Sequence, residues 1–194
     1  SGCAPKDISA SPELVGKLQQ NLLKDGHIIL GVKNSDPLDL ARKAKISASN
    51  SSGGTKPENI ISGMCYDMFD VTAIGEAPIA EQPELSLEWE APQKIGRLIL
   101  NIDTGSRLLT PTLETGFVKR VIQGPQPESL KDFTVRAKLA DGREKTLAEI
   151  KGNYQKRVVI DFPAEDIKRV TIKCLSTNGA PEASILEVRA YGNA

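Results

Sequence analysis

Ile185-Leu186-Glu187-Val188-Arg189-Ala190-Tyr191-Gly192 closes a stretch, Thr146 to Gly192, that reads as strand, short polar turn, strand, repeated to its end. Apolar and polar residues alternate with the period of two that half-buried strands show. No nucleophile motif, metal cluster or phosphate loop stands beside it. The stretch predicts the closing part of an antiparallel β-sandwich.

The same pattern extends backwards. Phe133, Val135, Ala137 and Leu139 alternate, and Asp141-Gly142 then supplies a hairpin turn to a strand at Leu147 to Ile150. Val158 to Phe162, Val170 to Leu175 and Ser184 to Tyr191 follow as separate strands. Upstream, Leu85, Leu87 and Trp89 alternate with polar residues and face inward, and Ile95 to Ile102 is dense enough for a central strand. Lys45 to Ser49 is a further short strand, and Asp103 to Thr115 a long loop. Eight or nine strands with few helices between them indicate a two-sheet sandwich or jelly roll.

The first forty or so residues differ. Ser11-Pro12-Glu13 supplies an N-cap, a Pro at the first helical position and an early acid. Leu14, Leu18 and Leu22 then form one apolar stripe, and Asp25-Gly26 ends the predicted helix. Asp36-Pro37-Leu38-Asp39 repeats the start signal for a short helix reaching Lys43. The expected division is a helical extension over 1–43 and a sandwich over 44–194.

Composition limits the function. The 194 residues carry 25 basic and 25 acidic side chains, so there is no basic excess of the kind that phosphate backbones require. Between Pro57 and Pro92 stand eight acids and no Lys or Arg; from Gly116 onward there are 14 bases and 10 acids. The acidic stretch reads first as a solvated loop and outer strand face, and second as an attractor for a cation or a basic partner surface. No apolar run reaches the length of a membrane helix. Ser1-Gly2-Cys3 is similar to the end of a lipoprotein signal, although a mature lipoprotein begins at its Cys; the missing initiator Met suggests a processed chain or a fragment.

Catalytic chemistry finds little footing. There is one histidine, His27, no Gly-x-Ser-x-Gly elbow and neither of the glycine-rich phosphate loops. Cys3, Cys65 and Cys174 have no metal-like spacing, and Cys174 alternates with Ile172 as a small buried apolar residue. Nothing singles out a carboxylate pair for glycoside hydrolysis. The chain is therefore expected not to be an enzyme by itself. Sugar binding needs an exposed aromatic face and a few fixed polar groups. Trp89 is assigned to the core. Tyr66 and Tyr154 lie nearer loops, and Arg107, Arg120, Asn153 and Asn178 could supply hydrogen bonds. For each of these residues taken singly, packing a loop or capping a turn is the simpler reading. A structural calcium held by loop oxygens would draw on Asn59, Ser62, Asp67 and Glu187.

Ile46-Ser47-Ala48-Ser49-Asn50, Pro57-Glu58-Asn59-Ile60-Ile61-Ser62-Gly63, Leu85-Ser86-Leu87-Glu88-Trp89 and the closing strand together resemble a discoidin-type, galactose-binding-like domain. Leu18 to Gly26, Asp36 to Ala44, Gly152-Asn153-Tyr154-Gln155-Lys156-Arg157 and Ser176-Thr177-Asn178-Gly179 resemble, in that order, the C-terminal domain of bacterial FAD-dependent oxidoreductases. The resemblance implies a jelly-roll β-sandwich and a non-catalytic accessory module. Such a module would pack on an upstream catalytic domain of the same polypeptide or help to hold a carbohydrate-related substrate, with FAD bound only upstream. The alternative is an autonomous carbohydrate-binding module of an exported glycan-processing enzyme, periplasmic or extracellular. Two departures stand out: Ser62-Gly63 replaces the family's Asp-Gly, whose Asp helps hold calcium, and Asp67-Met68-Phe69-Asp70 replaces its Thr-x-Trp. Glu187 matches the family's closing-strand Glu that can ligate the ion.

Overall fold

The computed structural model describes residues 23–24, 27–28, 34, 36–49, 56–63, 75–105 and 124–192. The chain divides into two compact units, Ser1–Lys33 and Asn34–Ala194. In the first, β1 (Leu23–Lys24) and β2 (His27–Ile28) pair antiparallel, Leu23 with Ile28 and Lys24 with His27. The predicted helix does not run through Leu23–Lys24. An Asp-Gly pair is a two-residue hairpin signal as much as a helix stop, and the hairpin wins here. The body of that predicted helix, 11–22, lies outside the described residues.

The second unit is a β-sandwich built from β3 (Lys45–Ala48), β4 (Gly75–Pro78), β5 (Glu84–Ile102), β6 (Leu130–Leu139), β7 (Glu144–Ile150), β8 (Arg157–Thr177) and β9 (Glu182–Tyr191). The strand order is β4-β9-β5-β8-β6-β7, with β3 on the other edge of the first part of β5. All pairings are antiparallel.

Four of the strands predicted from the sequence are the arms of two long ones. β5 pairs with β8 from Glu84↔Lys173 to Glu88↔Arg169, breaks, resumes at Gln93↔Ile167 and shifts again between Ile95 and Arg97, where β8 jumps from Glu165 to Asp161. Each break contains a proline, Pro92 in β5 and Pro163 in β8. Proline cannot donate to a ladder, and bulges are where strands bend and re-aim. The bends fold one hydrogen-bonded surface into two layers. One layer holds β3, the first arm of β5, the second arm of β8, β6 and β7. The other holds β4, β9, the second arm of β5 and the first arm of β8.

The alternating residues meet between these layers. Leu87, Trp89, Leu98, Leu100, Phe133, Val135, Ile172 and Val188 are all within 1% of full burial and belong to one continuous core. Trp89 is inside, as its alternation with Leu85 and Leu87 predicts, and its indole N–H donates to the Leu40 carbonyl at 2.8 Å. Cys174 is also in the core, where burial pushes its thiol up to about 12. The Asp141-Gly142 hairpin joins β6 to β7 with Gly142 at φ +88°, a backbone conformation glycine adopts without strain.

The second predicted helix is a single 3-10 turn, Leu40–Lys43. Asp39 caps it, accepting from the Ala41 N–H. Asp39 also accepts from the Ala190 N–H at 3.1 Å, on the edge of β9 beyond its pairing with β4. The second unit thus takes in residues 36–43, which the sequence reading gave to the extension. No helix among the described residues is long and apolar enough to cross a membrane.

Candidate functional site

At one end of the sandwich the described connections converge: 103–105 after β5, 124–129 before β6, 151–156 between β7 and β8, and 178–181 between β8 and β9. The backbone ties them together directly. Ile102 N–H donates to Lys156 O at 2.7 Å, Asn153 N–H to Lys131 O at 2.9 Å, Asn178 N–H to Ser129 O at 3.0 Å and Ala180 N–H to Pro127 O at 2.9 Å.

Two predicted ligand residues sit at the centre of this network. The Asn178 amide donates to Ser129 O at 3.2 Å, to Ser129 Oγ at 2.9 Å and to Asn153 O at 2.9 Å. The Asn153 amide donates to Leu130 O at 2.8 Å and to Gln155 O at 3.2 Å, while its oxygen accepts from the Gln155 N–H. Their donors are spent on holding loops, so geometrically they act as a frame. Asp132 adds a further clamp: its carboxylate accepts from Ser176 Oγ at 2.6 Å and Gly152 N–H at 2.8 Å. These two bonds, led by that from Ser176, hold its carboxyl below the usual range.

On this frame stands Tyr154, 64% exposed and the most open aromatic among the described residues. Its neighbour Asn153 is fixed from both sides, so the ring is offered to solvent by a pinned loop. Tyr66, Arg107 and Arg120, the other predicted ligand residues, lie outside the described residues.

Two acids that sequence reasoning passed over also sit here. Asp103 is buried and accepts from the Gly105 N–H at 2.9 Å. Glu128 Oε2 is buried without a hydrogen-bond partner, and a Cβ built on Gly105 would come within 2.7 Å of it. Gly105 itself has φ +68°. The positive φ favours glycine, whereas the contact is with the far end of a side chain that can shift. An acid three residues after Pro125 gave no periodic signal that would have placed it.

The predicted calcium ligands are only partly brought together. Asn59 and Ser62 share the 3-10 turn Pro57–Ile61 and its end, where Ser62 Oγ donates to Asn59 O at 2.7 Å. Asp67 lies outside the described residues. Glu187 is 1% exposed. Its Oε2 accepts from the Asn101 amide at 2.6 Å and from the Arg189 guanidinium at 2.9 Å; Oε1 and Arg189 Nε are left unpaired. Among the described residues this set offers one carboxylate, already beside the Arg189 cation, and no group of three acids, histidines or cysteines. A leftover acceptor and a leftover donor in one cluster suit a bridging water better than a divalent ion.

No family model matches the sequence. No curated protein matches it either. Solved structures do match. The chain is similar to the family 32 carbohydrate-binding module from Streptococcus pneumoniae EndoD, at TM-score 0.59 and 17% identity over 80% of this chain and 99% of that one. It is similar to the lectin domain of lectinolysin, solved with Lewis B antigen, at TM-score 0.60 and 15% identity over 84% and 100%. A Streptococcus pneumoniae fucose-binding module gives TM-score 0.59 and 14% identity over 82% and 99%. At such identities the likeness speaks for architecture: the chain folds as an all-β jelly-roll sandwich, as these modules do.

Proposed function

We propose that this chain is a non-catalytic carbohydrate-binding module, carried by an exported glycan-processing protein of bacterial type. The observation that carries the reading is Tyr154, an exposed ring on a loop fixed through Asn153 and Asn178. A sugar presents an apolar face of C–H groups, and a held aromatic ring binds it without first being ordered. The connections at 103–105 and 124–129 flank the stretch that holds Arg107 and Arg120, which would supply polar contacts. The fold likeness to modules whose names state carbohydrate binding supports the same reading. Glycan-array screening followed by calorimetry with galactose-, fucose- and N-acetylglucosamine-terminated oligosaccharides tests it. Saturable binding that Tyr154→Ala weakens tenfold or more is expected; silence across the panel would overturn the reading.

The other expectation, the tail of a FAD-dependent oxidoreductase packing on its catalytic domain, draws no support from the matched structures named above. The complete reading frame decides it: an upstream dinucleotide-binding fold would restore that parent.

A further inference from the structure

A second recess lies away from the loop end, on the outer face of the layer that holds β9, the second arm of β5 and the first arm of β8. Residues 36–43 form one wall of this open groove of about 650 Å³. That volume lies within the range of small-ligand sites, about 300–1,000 Å³. Pro37, Leu38, Leu40, Ile99 and the half-buried ring of Tyr191 give it an apolar floor. Leu38 is 71% exposed, and Val159, which pairs with Ile99 across the ladder, is 46% exposed. Together with Tyr154 they are the exposed large apolar side chains of the described residues, so two of those three gather on this face.

The rim is cationic. Lys43, Arg97 and Arg157 line the groove against one acid, Asp36. Arg97 is matched by Asp161 at 2.5 Å. Lys43 and Arg157 are exposed and have no carboxylate partner among the described residues. Two cations without ion-pair partners among the described residues, facing the single acid Asp36, leave a net positive charge of one over an apolar and aromatic floor, which fits a ligand with flat apolar faces and negative charge. A second copy of this face would bring the same cations against one another, which argues against self-association.

We propose that this groove binds a carboxylate-bearing oligosaccharide of the uronate class. The sugar faces rest on Tyr191, Leu38 and Ile99, while Lys43 and Arg157 meet the carboxylates. The proposal extends the carbohydrate reading but uses different residues, so either can fail alone. The test is titration of the whole chain with trigalacturonate, followed by NMR and calorimetry at low salt, with xylotriose as the neutral control. Saturable binding of trigalacturonate is expected, at least tenfold tighter than xylotriose and weakened by added salt. The double variant Lys43→Glu/Arg157→Glu should weaken it tenfold or more with an unchanged circular dichroism spectrum. Leu38→Glu should also weaken it, and Tyr154→Ala should not. Absent binding, equal binding of xylotriose, or indifference to the double variant would each overturn the groove assignment. Self-association abolished by Leu38→Glu would also overturn it, giving the face to a second copy. Loss of neutral-glycan binding in Tyr154→Ala would leave the loop-end reading standing in any of these cases.

Discussion

The two ends of the sandwich are held by different chemistry. At the bends of β5 and β8 the chain turns back on itself over Trp89, and the closure is mainly apolar, with the indole N–H tied to Leu40 O. At the loop end, closure depends on amide side chains, Asn153 and Asn178, whose donors replace ladder bonds that loops lack. Burial of a large ring tolerates no partial version, whereas a polar frame can be loosened bond by bond. The apolar end therefore sets the fold, and the polar end, pinned by side chains that can be exchanged one at a time, is where a ligand-facing side chain such as Tyr154 can be carried.

The comparison can be broken from either side. Trp89→Ala should cost about 3–5 kcal/mol in chemical denaturation, the range for removing a buried large aromatic, and should lower protection from exchange throughout the sandwich. A cost near zero would mean that the bend end is not the anchor. Asn178→Ala leaves Ser129 Oγ and the Asn153 carbonyl without the amide donor, while Ser129 O keeps the Asn178 backbone N–H, with a cost of about 1–3 kcal/mol. Its exchange effect should be confined to 124–131, 151–156 and 178–181; a global effect would erase the distinction between the ends.

Acid titration separates two carboxylates with opposite signs. Asp132 has its folded value depressed, so its contribution is present above the unfolded value and is lost as pH falls through the folded one. Asp39 has its folded value raised, because desolvation outweighs the bonds from Ala190 and Ala41. Its folded state holds the proton longer, so stability declines as pH rises from the usual carboxyl value through the raised one. Stability curves of Asp132→Asn and Asp39→Asn should therefore flatten on opposite sides; flattening on the same side would contradict these environments. The smallest effect concerns metal. With Arg189 already beside Glu187, chelator or added calcium should leave the melting temperature unchanged, and a calcium-dependent rise would show that residues beyond the described ones complete a site.

Much of the sandwich was legible in the sequence. Strict alternation placed Leu85, Leu87 and Trp89 inside, as well as Phe133 to Leu139, and Asp141-Gly142 marked its hairpin. Periodicity failed where the chain bends without ending. Pro92 and Pro163 look like strand terminators, yet each interrupts a strand that continues into the other layer. Gly75–Pro78 carries too little β-branched or aromatic character to announce β4, which gains its place by pairing with β9. The loop-end frame was only half readable. Asn153 and Asn178 were singled out as polar loop residues, but the partners that join one loop to another lie 23 to 49 positions away, beyond any local pattern. Glu187 shows the same limit. It stood out in the closing strand as a candidate ligand, but its burial depends on what covers that side, which no local pattern gives.

Because β5 and β8 each run through both layers, neither layer can melt and leave the other intact. Such a molecule should lose its structure in one step, with no half-open species for a protease to find. Cys174 lies in the second arm of β8 with its thiol at about 12, chemically silent while the fold is closed. Alkylation at that position thus keeps time for the entire sandwich, and its rate counts how often the molecule opens.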